Sequence, residues 1–146
     1  MYTMETLTSI SVSADVKKLV EIRQFVREEL MSHNLDPIVI SDVVLAVDEA
    51  VTNIIIHGYR GQMGIIKVIL EIEDDRLIVR LRDQAPAYDP LNTPVPDLSV
   101  PLVQRSLGGL GVFLIKQLMD DVTHLISPQG GNELIMVKEG IRNSRM

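Results

Sequence analysis

The chain has 146 residues, no cysteine and a formal net charge of −6 at pH 7. This length is typical of a single domain with one hydrophobic core. The lack of cysteine excludes a disulfide framework, a thiol nucleophile and a Cys-ligated metal site, and it fits a cytoplasmic location. The acidic charge balance argues against direct binding of nucleic acid. The sequence shows neither an apolar run long enough for a membrane span nor a signal-peptide pattern.

The hydrophobic pattern predicts strands and helices in a definite order. Alternation over residues 6–12 predicts a strand, and apolar residues at three- and four-residue spacing after Ser13, the predicted cap, indicate a helix. Asp36 and Pro37 are typical of the start of a second helix, which should end near Gly58. The remaining elements are a hairpin over residues 64–83, a helix over residues 111–121 and a closing hairpin over residues 122–138.

This order predicts one α+β domain over residues 1–146, built as a two-layer α/β sandwich. Its helices should cover one face of a mixed, mainly antiparallel sheet. Residues 84–109 contain five prolines and are predicted to form a loop, and a loop of this length is either functional or disordered. Residues 140–146 are predicted to form a flexible tail.

The second helix is unusual because it carries two polar stripes. At about 100° per residue, its core face is formed by Ile40, Val43, Val44, Val47, Val51 and Ile54. One polar stripe contains Ser41, Asp48 and Thr52, and the other contains Asp42, Glu49, Asn53 and His57. Two stripes indicate that one meets solvent and the other lines a polar site. The alternative is that both are solvated, which is usual for charged positions on helices.

Glu49 and Asn53 are neighbours on this helix because they are four residues apart. A carboxylate beside an amide oxygen can hold a hydrated Mg²⁺ ion or orient a hydroxyl group. That spacing alone does not distinguish such a site from a solvated surface. His57, which precedes Gly58, is better explained as a capping residue than as a base.

Two further segments have the composition of ligand-binding loops. In "SLGGLGVFLIKQLMD", Gly108, Gly109 and Gly111 lie at the start of a helix, where backbone N–H groups can approach an anion. In "LRDQAPAYDP", Asp83 ends a strand and could accept a hydrogen bond from an exocyclic amine. Ordinary turns remain the alternative for both segments. Neither the dinucleotide-binding fingerprint nor the P-loop pattern is present.

In this order the three segments resemble the motifs of the anti-sigma-factor serine/threonine kinases, small members of the GHKL, or Bergerat-fold, ATPases. "DEAVTNIIIHGY" is similar to their N-box, "RDQAPAYDP" to their first glycine box and "GGLGVFLIKQLMD" to their second. The resemblance extends from the first helix to the closing "GGNELIMVK". It implies the Bergerat ATPase fold, with residues 90–107 in the place of the ATP lid.

The resemblance also implies roles for individual residues. Glu49 matches the catalytic residue that activates the attacking hydroxyl or water, and Asn53 matches the ligand of Mg²⁺. Asp83 matches the residue that recognises the adenine amino group of ATP. The other nucleotide-binding positions that the resemblance implies are Ala85, Gly108, Gly109, Leu110, Gly111 and Val112.

The sequence departs from the family pattern at three places. Ala85 stands at the first glycine position of its box, and a methyl group there disfavours positive φ. The lid segment is rich in proline and has no glycine between Pro90 and Leu107. Asn132 follows Gly131 where some relatives have a threonine that contacts phosphate.

The resemblance therefore implies an anti-sigma factor that binds Mg²⁺·ATP and phosphorylates a STAS-type anti-sigma-factor antagonist in a partner-switching circuit. Its expected partners are a sigma factor, that antagonist and a second copy of the chain. One alternative, favoured by the departures, is a non-catalytic binding module that sequesters a sigma factor or another regulator. Another is a detached histidine-kinase catalytic domain, which lacks support because no dimerising helix with a phospho-accepting His precedes the domain.

Overall fold

A computed structural model of the chain describes residues 4–87, 91 and 107–142. It contains three α-helices and five strands. In chain order these are β1 (Met4–Ser13), α1 (Leu19–Met31), α2 (Pro37–Asn53), β2 (Ile65–Glu73), β3 (Arg76–Asp83), α3 (Leu107–Leu118), β4 (Asp121–Ile126) and β5 (Asn132–Glu139). A short 3₁₀ helix (Val16–Lys18) precedes α1, and a π-helix (Ile54–Tyr59) extends α2. No helix in these ranges is long and apolar enough to cross a membrane.

The five strands form one sheet in the order β1-β2-β3-β5-β4. All four pairings among the described strands are antiparallel. The chain leaves the sheet after β3, passes through α3 and returns at the edge strand β4, so that β5 closes the gap beside β3. The predicted α+β sandwich with a mainly antiparallel sheet is confirmed, and the described strands show no parallel pair.

One face of the sheet carries the core and the other carries charge. Alternate residues of the strands, such as Leu77, Val79 and Leu81 of β3, are fully buried and belong to the same apolar cluster as the helices. On the opposite face of β3, Arg80 contacts Glu71 (2.9 Å) and Glu133 (3.6 Å). This division is typical of a two-layer fold in which helices cover one side of the sheet.

Helix α2 begins and packs as the sequence predicts. The Asp36 side chain accepts a hydrogen bond from the Ile38 N–H at 2.9 Å, and Pro37 occupies the first turn. All six predicted core residues are at most 6% exposed: Ile40, Val43, Val44, Val47, Val51 and Ile54. Beyond Asn53 the helix widens into the π-helix, which ends at Arg60 in the left-handed conformation (φ 53°). The chain thus leaves the helix two residues after Gly58.

The start of the first helix differs from the prediction. Ser13 is the last residue of β1, and Asp15 caps the 3₁₀ helix that precedes α1, accepting a hydrogen bond from the Lys17 N–H at 2.9 Å. Val16 and Val20, two of the apolar residues whose spacing predicts this helix, are 52% and 61% exposed. The 3₁₀ turn has a different residue repeat from an α-helix and therefore changes which side chains face the core.

The predicted flexible tail is wrong for its first three residues. Ile141 is fully buried, and its backbone pairs with Asp36 (3.0 Å) and Asp75 (3.3 Å). Arg142 donates from its backbone to the Asp75 carboxylate at 2.8 Å. Residues 140–142 are therefore held against the fold, because the apolar side chain of Ile141 fills part of the core. Residues 143–146 lie outside the described residues.

Tyr59 connects the end of the π-helix to β2 and to the segment that follows β3. Its hydroxyl donates to the Ile65 carbonyl at 2.6 Å and accepts from the Gln84 N–H at 2.8 Å. The ring lies against Gly64, where a Cβ would overlap it. Because Gln84 directly follows Asp83, Tyr59 also fixes the backbone next to a predicted site residue.

Replacing Tyr59 by Phe should destabilise the fold by about 1–3 kcal/mol, because two backbone groups lose their partner while the ring still fits. Urea denaturation of both proteins measures this difference in the free energy of unfolding. A loss smaller than about 0.5 kcal/mol, the lower limit for one net hydrogen bond, would contradict this role for the hydroxyl.

Candidate functional site

Three of the predicted site residues come together where α2, α3, β3 and β5 meet. A small cavity of about 10 Å³ lies at this point. Its lining includes the predicted residues Asn53, Asp83 and Val112, and also Ala50, Ile54, Leu91, Ile115, Asn132 and Leu134. The N-box helix, the end of the first glycine-box strand and the second glycine-box helix are therefore adjacent in space.

Gly111 allows α3 to approach the polar stripe of α2 that contains Glu49 and Asn53. A Cβ placed on Gly111 would lie 3.2 Å from Oε2 of Glu49 and 3.4 Å from Nδ2 of Asn53. These distances are tight for a carbon atom, so the glycine leaves room for both polar side chains. The predicted neighbourhood of Glu49, Asn53 and Gly111 is present in the structure.

Glu49 is half-buried at this contact. Burial raises the pKa of its carboxyl group, and the negative charge of Asp48 raises that pKa further. Asp48 itself is held by Arg23 of α1, whose Nη1 lies 2.7 Å from Oδ1 of Asp48. The family resemblance assigns the stripe of Glu49 to the ligand and thereby leaves the stripe of Asp48 to solvent, but Asp48 contacts α1.

The raised pKa has a consequence for stability. A carboxyl group whose pKa is higher in the folded state destabilises the fold once pH rises through that pKa, and it has no such effect below the unfolded value of about 4.3. Glu49→Gln should therefore raise the free energy of unfolding at pH 7, and the gain should fade towards pH 4. Urea denaturation at the two pH values measures this, with Glu28→Gln on α1 as a matched control. An equal gain in the free energy of unfolding at both pH values would contradict a raised pKa for Glu49 in the folded state.

Asp83 is buried at the end of β3, with 4% of its surface exposed. Its Oδ1 accepts hydrogen bonds from the Ala85 N–H and from Nδ2 of Asn132, both at 2.9 Å. Burial raises the pKa of the Asp83 carboxyl, while these two hydrogen bonds and the nearby His124 act in the opposite direction. Within the described residues Oδ2 accepts no hydrogen bond, so it is the oxygen available to a ligand.

Ala85 fits the glycine position of its box without strain. It is not among the residues with positive φ, and it is 2% exposed. The glycine that this region needs is Gly131, which has φ +86° and lies so close to Asp83 that a Cβ would overlap the Asp83 carbonyl. Gly131 therefore lets the start of β5 approach β3 and places Asn132 beside the carboxylate.

For some predicted residues the structure describes the backbone but not the surroundings, and others lie outside the described residues. Gly108, Gly109 and Leu110 belong to the first turn of α3, which confirms that the glycines begin a helix, but their surroundings are outside the described residues. Of the predicted lid, residues 90–107, only Leu91 and Leu107 are described. Leu91 lines the cavity, whereas Leu107 is the first residue of α3. His57 is exposed and does not line the cavity.

Sequence reasoning did not assign several residues of the site. Ala50 and Ile54 flank Asn53 on α2, so helical spacing from Asn53 could have identified them. The contacts of Asn132 and His124 depend on strand register, which the sequence pattern does not specify.

The donor atoms around Asn53 fit a metal ion carried by a phosphate ligand. Among the described residues, no three His, Cys, Asp or Glu side chains cluster as metal ligands do. The Asn53 amide, 8% exposed and facing Gly111, offers one hard oxygen donor. Mg²⁺ is commonly bound by one or two protein oxygens together with substrate phosphates. The single oxygen donor of Asn53 fits such a site, in which phosphates would supply further ligands.

Comparison with known proteins places these motifs in a family. The family described as histidine kinase-like ATPase domain matches residues 12–138. The anti-sigma F factor of Clostridium acetobutylicum is 36% identical over 114 residues, which cover 72% of this chain and 75% of that protein. The serine-protein kinase RsbW of Staphylococcus epidermidis is 37% identical over 116 residues, covering 72% and 71%. The RsbW of Bacillus cereus is 34% identical over 103 residues, covering 68% and 63%.

The chain belongs to the anti-sigma serine kinases of the histidine kinase-like ATPase family. The resemblance drawn from the N-box and the two glycine boxes is therefore confirmed. Family membership supports ATP as the ligand of the site formed by α2, α3, β3 and β5. The matched range contains Glu49, Asn53, Asp83 and Gly111.

Proposed function

We propose that this chain is an anti-sigma factor that uses Mg²⁺·ATP to phosphorylate a serine or threonine of a STAS-type anti-sigma-factor antagonist. The observation that carries the proposal is the convergence of Glu49 and Asn53 on Gly111, next to the cavity lined by Asp83. The names of the relatives, an anti-sigma factor and serine kinases, agree with it. A sigma factor and the antagonist are the proposed partners, and a homodimer in the cytoplasm is the proposed state.

Each polar residue of the site has a distinct proposed task. Glu49 accepts or orients the proton of the attacking hydroxyl, and it must be ionised to do so. Asp83 accepts a hydrogen bond from the adenine amine through Oδ2, which leaves its Oδ1 contacts intact. Asn53 would hold Mg²⁺, which when bound neutralises phosphate charge.

The start of α3 is the proposed binding segment for the phosphates of ATP. Gly108 and Gly109 lie in its first turn, where backbone N–H groups lack helical partners and the helix dipole favours an anion. Glycine permits a close approach of the ligand to this backbone. Catalysis in such a site depends mostly on positioning and charge neutralisation.

The alternative of a non-catalytic binding module has less support than the sequence suggested. One of the departures that favoured it was Ala85, and the Ala85 backbone adopts a conformation that an alanine tolerates. The carboxylate and amide of the catalytic stripe are both present and adjacent to α3. The proline-rich lid segment remains the feature in favour of this alternative.

Transfer of labelled γ-phosphate tests the proposal directly. The purified chain is incubated with Mg²⁺, γ-labelled ATP and the anti-sigma-factor antagonist from the same organism. We expect label on a serine or threonine of the antagonist, and none on a variant whose acceptor residue is alanine. If a sigma factor binds but no antagonist is ever labelled, the binding module is correct and the kinase proposal is wrong.

A further inference from the structure

Asp83 is connected through Asn132 to a residue that has no assigned role, His124 of β4. Nε2 of His124 lies 3.0 Å from Oδ1 of Asn132. Nδ2 of Asn132 lies 2.9 Å from Oδ1 of Asp83. Asn132 and Asp83 are 3% and 4% exposed, and His124 is half-buried. The contacts cross three neighbouring strands, from β4 through β5 to β3.

The surroundings of the Asn132 amide determine its orientation. One end faces three acceptors: Oδ1 of Asp83 at 2.9 Å, the Ala85 carbonyl at 3.3 Å and the Pro86 carbonyl at 3.3 Å. A group that faces only acceptor oxygens must be a donor, and the NH₂ group with its two hydrogens is the donor end of the amide, so this end is the nitrogen. The amide oxygen therefore faces His124, and Nε2 of His124 must carry the hydrogen that it donates.

This orientation leaves Oδ2 of Asp83 as the oxygen that can accept a hydrogen bond from a ligand. Oδ1 already accepts from the Ala85 N–H and from Asn132, which uses both lone pairs of that oxygen. The amine of a purine base can then be accepted by Oδ2 alone. A carbonyl at the same position of the base would face a carboxylate oxygen and be repelled.

We infer that His124 is a positioning residue for base recognition: it orients the Asn132 amide, which in turn holds Asp83 so that the site selects a purine with an exocyclic amine. The inference rests on the proposed nucleotide site and adds a residue outside it. Without the His124 donor, the buried Asn132 oxygen loses a hydrogen bond, and the carboxylate of Asp83 loses part of what fixes its rotation.

The test compares affinities for ATP and for inosine triphosphate, which carries a carbonyl where adenine has its amine. Wild type should prefer ATP by about 10- to 100-fold, the range for one hydrogen bond to a charged group. In His124→Leu this ratio should fall by about 3- to 10-fold, the range for one neutral hydrogen bond. His124→Gln, which keeps an N–H donor, should restore most of it.

Thr123→Val is the matched control, because Thr123 lies on the exposed, opposite side of β4. A general loss of stability would weaken both ligands equally and leave the ratio unchanged, so a ratio in His124→Leu within about twofold of wild type overturns the inference. Binding of neither nucleotide by the folded wild type would instead overturn the proposed function itself.

If His124→Leu folds poorly, His124→Ala takes its place, with the same expected fall in the ratio. A double variant then tests the route through Asn132: Asn132→Leu should itself lower the preference for ATP, and adding His124→Ala to it should change the ratio no further. Losses that multiply would show independent action and overturn the inference.

Discussion

Glu49→Gln is expected to lower the rate of phosphoryl transfer by about 10²- to 10⁴-fold, the usual contribution of a general base. Glutamine has nearly the same shape as glutamate and cannot accept the proton of the attacking hydroxyl. The hydrogen bonds of Asp83 involve Ala85 and Asn132, which are not on α2, so they stay intact in this variant. ATP affinity should therefore change by less than about threefold, which is under 1 kcal/mol. Single-turnover phosphorylation of the antagonist, together with calorimetric titration of ATP, measures both quantities.

Asp42→Asn is the matched control for this variant. Asp42 belongs to the same polar stripe of α2, and its Oδ2 lies 3.6 Å from Nζ of Lys138, away from the cavity lining. It should leave the rate of phosphoryl transfer within about threefold of wild type, as expected for a partly exposed ion pair. Retention of full activity in Glu49→Gln, or an equal loss in both variants, would contradict the catalytic assignment of Glu49.

Asp83→Asn should weaken ATP binding by about 10- to 100-fold, which corresponds to the loss of one hydrogen bond to a charged group. The amide oxygen of asparagine can still accept from the Ala85 N–H and from Nδ2 of Asn132. The amide nitrogen then replaces Oδ2 and presents hydrogens to the adenine amine, which is also a donor. The substitution therefore isolates the oxygen that recognises the base.

Calorimetric titration of ATP measures this loss, and urea denaturation shows whether the variant remains folded. Asp121→Asn, an exposed position at the start of β4, is the matched control. Because Asp83→Asn exchanges an acceptor for a donor, inosine triphosphate should lose less affinity than ATP. An unchanged ATP affinity would remove Asp83 from the site.

The architecture could be predicted because it depends on local pattern, whereas the position of the candidate site followed from the resemblance of three motifs to one family. The apolar spacing of α2 specifies its buried face, and every predicted core residue of that helix is buried. Asp36 and Pro37 mark the start of α2 through contacts within one turn. The order of the three motifs was sufficient to identify the family because the family shares that order.

The features that the sequence did not predict depend on contacts between residues that are distant in sequence. Asp48 looked like a solvated residue of a polar stripe, but it forms an ion pair with Arg23, 25 positions away. Ile141 looked like part of a tail, but its side chain is buried and its backbone joins Asp36 and Asp75. No periodicity within one element encodes such partners.

The effect of Ala85 could not be derived from its residue type. The sequence pattern suggested that a glycine was missing, because glycine boxes commonly use positive φ. In the structure the positive φ lies at Gly131, which directly precedes β5 and approaches the backbone of Asp83. Which residue of this region needs positive φ therefore depends on the tertiary fold, and the residue type of Ala85 does not show it.

Calorimetric titration of the purified chain with ATP, with and without Mg²⁺, tests whether this site binds the nucleotide through the ion. We expect saturable binding that strengthens when Mg²⁺ is present, because Asn53 would share the ion with the phosphates. We also expect that Asn53→Leu removes the effect of Mg²⁺ and leaves weak binding through Asp83. No binding at millimolar nucleotide would contradict the assignment of this site to ATP and, with it, the proposed kinase.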